Sequence, residues 1–149
     1  MDNVKPAPTA KTILIVEDDV LTAVTLQDAL RAAGYQVMDL TGRHQEAMTA
    51  ARVRKPALAL VNIELEGRDD GVALAEDLHR IGVPVLFISG QESRASSART
   101  VAVGSLPKPY SPADMVQAVN HLLAHLAGDP PSEPPGHLEV FAPPGIQAA

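Results

Sequence analysis

Asn62 closes the apolar run Ala57-Leu58-Ala59-Leu60-Val61, and it is an amide where the near-isosteric aspartate would be an acid. The difference decides which chemistry is available. A carboxylate oxygen carries charge and is a nucleophile. An amide oxygen is neutral, and the lone pair of its nitrogen is delocalised into the carbonyl. Four other polar side chains also follow apolar stretches: Glu17 and Asp18 after Thr12–Val16, Ser89 after residues 84–88, and Lys108 beyond residues 105–106. Each alone has a bland explanation. Acids such as Glu17, Asp18 and Asp19 stabilise a helix N-terminus. Ser89-Gly90 reads as a strand-to-loop turn, and Lys108-Pro109 as a surface turn. Their interest depends on whether one fold gathers all five.

The elements that must do this are legible as an alternation. Thr12–Val16 is a continuous β-branched apolar run, as expected of a strand buried on both faces. Residues 57–61 and 84–88 read the same way, and residues 36–40 form a shorter candidate. Between them lie helical patterns over residues 20–33, 43–54 and 72–81, stopped by Gly34, Pro56 and Gly82. Residues 105–106 give only a weak strand signal. Pro112 then opens a long helix with Ser111 as N-cap, and Met115, Val116, Val119, Leu122, Leu123 and Leu126 form its apolar stripe. Apolar strands alternating with amphipathic helices predict a parallel sheet covered on both faces. Five such units fit a flavodoxin-like, doubly wound α/β sheet of five strands in the order 2-1-3-4-5, whose functional site lies outside the strand C-termini. All five polar residues stand there.

Composition narrows the function. The 149 residues suit one domain, with 46% hydrophobic and 20% charged residues. A net charge of −6 without a basic run argues against nucleic-acid binding. Without cysteines there is no thiolate metal site and no cysteine nucleophile. No signal peptide or membrane-length apolar run is visible, so the expectation is a cytoplasmic protein. Residues 1–10 are expected to be a disordered tail, residues 11–128 the folded domain, and the proline-rich residues 129–149 a loose tail. The strand-like patch at residues 137–141 is the only part of that tail with a docking pattern.

The strings ILIVEDD, ALALVNIELEGRDDG, VPVLFISG and LPKPYS, with Asn62 lying 44 residues after Asp18, resemble the receiver domain of bacterial two-component response regulators. The resemblance spans roughly residues 11–128. It implies that Glu17 and Asp18 hold Mg²⁺, with the Glu64 backbone carbonyl completing the shell. It implies that position 62 is the phosphoacceptor, that Ser89 bonds a phosphoryl oxygen, and that Lys108 pairs with the phosphoryl charge. It also implies a cis bond at Lys108-Pro109. Such a site neutralises charge around a positioned nucleophile.

Three departures follow from the same comparison. Asn62 cannot form an acyl phosphate, and it weakens the Mg²⁺ site by one of three negative charges. Lys108, deprived of its natural partner, is expected to turn toward Asp18 or solvent. The switch position in strand 5, usually aromatic, is Ser105. Residues 91–100, QESRASSART, are rich in poor helix formers and about one turn short, so the fourth crossover helix is expected to be short or disordered. Asp69 and Asp70 read as loop and helix-entry acids. His121 and His125, at i and i+4, read as an exposed helix face. The expectation is a stand-alone degenerate receiver that is not an enzyme. It binds Mg²⁺ weakly at most and acts by binding a protein partner, a histidine kinase or another signalling protein. Homodimerisation stays open. The alternative is a working phosphoreceiver in which Asn62 is engineered or deamidates to aspartate.

Overall fold

The computed structural model describes residues 11–63, 70–90, 99–130 and 132–141. Its centre is a sheet of β1 (Thr12–Val16), β3 (Leu58–Asn62) and β4 (Val85–Ser89), every residue of which is buried. Burial on both faces is what their unbroken apolar runs require. β2 (Gln36–Val37) pairs with the outer side of β1, and β5 (Gly104–Pro107) with β4, all in parallel. The order 2-1-3-4-5 is therefore present. The structure adds a sixth strand, β6 (Glu139–Val140), antiparallel to β5 at the far edge.

That strand corrects the reading of the C-terminal segment as a loose tail. Leu138 and Phe141 are buried, so residues 138–141 belong to the fold. The proline count misleads here because the prolines fall outside the alternating patch, which needs only a neighbouring edge to pair with.

Helices α1 (Val20–Ala32) and α4 (Pro112–Leu126) cover one face through Leu26, Leu30, Met115, Val119 and Leu122. Helices α2 (His44–Val53) and α3 (Gly71–Arg80) cover the other through Ala47, Met48, Leu74 and Leu78. The small Ala47 and Ala51 let α2 lie close on the sheet. The caps act as expected. Asp19 accepts from Leu21 N–H at 3.2 Å, and Asp70 from Val72 N–H at 2.9 Å. Ser111 and Asp114 form a reciprocal capping box. The expectation for the fourth crossover helix falls mostly outside the described residues. Of that segment only Arg99 and Thr100 are described, and they lie in a turn. Among the described residues no helix is long and apolar enough to cross a membrane.

Candidate functional site

The parallel pairing of β1 with β3 brings Val16 beside Val61, so Glu17 and Asn62 leave adjacent strand ends side by side. Both are buried, as is Ser89 at the end of β4. Loops hold them in place. Thr41 bridges to Val16, and its carbonyl accepts from Glu17 N–H at 2.9 Å. Gly42 passes so close that a Cβ there would stand 3.0 Å from Asp18 Cα. Lys108 N–H donates to the Ser89 carbonyl at 2.9 Å, fastening the end of β5 to that of β4. The Lys108-Pro109 peptide is cis.

The side chains form a chain of contacts. Asn62 Nδ2 donates to Glu17 Oε2 at 3.2 Å, and Lys108 Nζ donates to Asn62 Oδ1 at 3.4 Å. Glu17 Oε2 also accepts from Asp19 N–H at 3.0 Å. Lys108 was expected to turn toward Asp18 or solvent; it is exposed, yet its ammonium still reaches position 62. An amide has two unlike ends, and here each meets its complement: the NH₂ faces a carboxylate and the oxygen faces an ammonium. Compared with an aspartate, the amide lacks the charge but still links Glu17 to Lys108.

Burial pushes the Glu17 carboxyl above its ordinary 4.5. The neighbouring Asp18 carboxyl adds to the rise. The Asp19 N–H, the Asn62 amide and the Lys108 charge oppose it without cancelling it. The charged form is therefore disfavoured by folding. The contribution of this group to stability is full below pH 4.5 and is lost as pH rises through the raised value. In chelator, the parent should lose stability relative to Glu17→Gln across that window. Denaturant titrations at several pH values would read this, and a constant difference between the two proteins would contradict it.

Glu17, Asp18, Asn62 and Lys108 line a cleft of about 660 Å³, together with Thr22, Thr25 and Leu26 of α1 and with Tyr110 and Pro112. Ser89 lies at the same end of the sheet but not on the cleft wall. Sequence reasoning missed Tyr110. Its position two residues past Lys108 was the available signal. Burial, and then the Glu17 carboxylate, push its phenol up to about 12, so it stays protonated and able to donate. Gly71 was also missed. It packs α3 directly against the backbone of Asn62 and Ile63. Leu21, which lines the cleft, is 75% exposed, and its chain neighbour Val20 is 73% exposed.

The donor set suits a divalent cation poorly as it stands. Mg²⁺ takes oxygen ligands, yet the atom that Asn62 presents to Glu17 is its nitrogen. Glu64, whose carbonyl was expected to be a ligand, lies outside the described residues, as does Asp69. Among the described residues no group of three or more His, Asp or Glu side chains could hold a metal ion. His121 and His125 line a small recess with Asp129 and do not form such a group. Ser105, expected at the switch position, is buried and pairs laterally with Phe87 and Glu139.

A model of the response regulator receiver domain matches residues 13–120. Among curated proteins, the chain is 28% identical over 116 residues to the transcriptional regulatory protein PdtaR of Mycobacterium tuberculosis, covering 76% of this chain and 57% of that protein. It is 29% identical over 120 residues to the phyllosphere-induced regulator PhyR of Methylorubrum extorquens, covering 78% and 45% respectively. The chain thus spans about half the length of these relatives. Among solved structures, a CheY-like receiver domain protein from Methanospirillum hungatei superposes with a TM-score of 0.72 at 25% identity, covering 80% of this chain and 98% of that one. A response regulator structure from Chloroflexus aurantiacus gives 0.71 at 28% identity, with 78% and 99% covered.

Proposed function

We infer a function from one premise: this chain belongs to the response regulator receiver family. Its role is signal transduction by binding a protein partner, with no phosphoryl group accepted at position 62. One observation carries this reading. The side chain at the strand-3 end is an amide engaged at both its ends, by Glu17 at 3.2 Å and by the exposed Lys108 at 3.4 Å. A phosphoacceptor must present a charged oxygen to the incoming phosphorus. Here the only side-chain oxygen is neutral and already accepts from the lysine.

Three further features support the reading. Ser105 offers no aromatic ring to swing between a buried and an exposed position. The acids and lysine of the pocket remain, now as a hydrogen-bonded unit. Their structural use gives a reason for their presence without catalysis. The exposed Leu21 on the cleft, with the exposed Val20 next to it in the chain, provides an apolar contact for a partner near the acids. The partner class is a signalling protein such as a histidine kinase, and the site of action is the cytoplasm. Mg²⁺ binding is weak, because two carboxylates remain but the third ligand is an amide.

Amide NMR spectra recorded with Mg²⁺ and beryllofluoride, a mimic of the phosphoryl group, test the proposal. The resonances of Ser89, Ser105 and Lys108 are expected to stay in place. Concerted shifts of all three would show a pocket that still captures and reports a phosphoryl-like group.

A further inference from the structure

Without β6 the sheet would end on β5, with a row of backbone donors and acceptors open to pairing. Proteins guard such edges with charges, bulges or a covering segment, because an open edge pairs with other chains. β5 reads GSLP and carries no charged side chain. Its guard is the C-terminal segment. Gly104 stands opposite Val140 and Ser105 opposite Glu139, and Phe141 N–H donates to the Val103 carbonyl at 2.9 Å.

The seat is shaped for a strand. A Cβ at Gly104 would come within 2.7 Å of the Glu139 carbonyl oxygen, so only glycine admits this approach. Neighbouring side chains alternate between the two core layers. Leu138 joins the layer of α1 and α4, and Phe141 joins the layer of α2 and α3 beside Phe87 and Ala102. Arg99 closes the seat from outside. Its guanidinium lies 2.8 Å from Glu139 Oε2 and 4.8 Å from the centre of the Phe141 ring.

The hold is nevertheless local. The ladder is two residues long, and Arg99 and Glu139 are half exposed, where ion pairs contribute little. Two buried side chains, Leu138 and Phe141, and the half-buried Val140 anchor the segment, so it can leave without opening the five parallel strands. We propose that the β5 edge is a self-association surface held closed by the chain's own C-terminal strand. The occupant on release is the β5 edge of a second copy of this chain. Antiparallel pairing across a twofold axis lets one strand serve as both halves of an interface. The neutral β5 has no charge to repel its twin, and the slots left by Leu138 and Phe141 add apolar surface that a twin would cover.

The test uses the full chain with Phe141→Asp, and separately with Leu138→Asp, so that each core layer is released in turn. Light scattering across the micromolar range is expected to show a dimer for the variants and a monomer for the parent. Hydrogen exchange over residues 102–107 should stay slow in the dimer and become fast on dilution. Variants that remain monomeric with the parent's circular dichroism would overturn the proposal. So would a dimer in which residues 102–107 exchange freely, or a parent that dimerises equally. Loss of the fold in both variants would also overturn it, because the strand would then be a fixed structural member.

Discussion

Gly71→Ala is expected to destabilise the chain by about 3 kcal/mol, at the upper end of the usual cost of overpacking. The added Cβ would stand 2.4 Å from the Asn62 carbonyl oxygen, 2.6 Å from Ile63 Cα and 2.8 Å from the Ile63 carbonyl oxygen. All three are backbone atoms, so no side-chain rotation relieves the contact. Either α3 lifts from the sheet or the end of β3 moves, and the latter displaces Asn62 from Glu17 and Lys108. Gly90→Ala is the control, since a Cβ there meets nothing within 4 Å. Urea unfolding of the two variants measures the difference. Equal midpoints would show that α3 does not press on the end of β3 as described.

Asn62→Asp is expected to have the second large effect, of opposite sign with and without divalent cation. In chelator the new carboxylate replaces a donor 3.2 Å from Glu17 Oε2 with a like charge. The attraction of Lys108 offsets part of this, and a net loss of about 1–2 kcal/mol is expected. With Mg²⁺ present the same change supplies the missing anionic ligand. Affinity for the cation should rise tenfold or more, equivalent to about 1.4 kcal/mol or more. The melting temperature of the variant should then climb with Mg²⁺ concentration while that of the parent barely moves. A parent that is stabilised by Mg²⁺ as strongly as the variant would contradict the account of the amide.

The sheet was legible because β1, β3 and β4 are buried on both faces and so lack polar residues until their ends. The site was legible for the same reason: the first polar residues after β1 and β3, Glu17 and Asn62, are the ones that line the cleft, and Ser89 after β4 stands at the same end of the sheet. What escaped sequence reasoning depended on non-local fit. β5 contributes only Leu106 as a large apolar side chain, so its weak signal reflects a strand held mainly by its neighbours. The docking of β6 depends on Gly104 and Arg99, more than thirty residues earlier in the chain. Nothing in the proline-rich tail itself announces them. The contact of the exposed Lys108 with position 62 was not foreseen, because loss of charge there was equated with loss of a partner, whereas the Asn62 amide oxygen still accepts. The roles proposed for Ser89, Lys108 and Ser105 rest on family membership together with position. Distances alone would show only a hydrogen-bonded strand-end cluster.

The central claim is that this receiver carries no phosphoryl group at position 62. Intact-mass spectrometry after incubation with Mg²⁺ and a small acyl phosphate tests it most directly, with peptide mapping to verify that residue 62 is still asparagine. The mass of the parent is expected to stay unchanged. An adduct of one phosphoryl group on the parent that disappears in Asn62→Ala would contradict it.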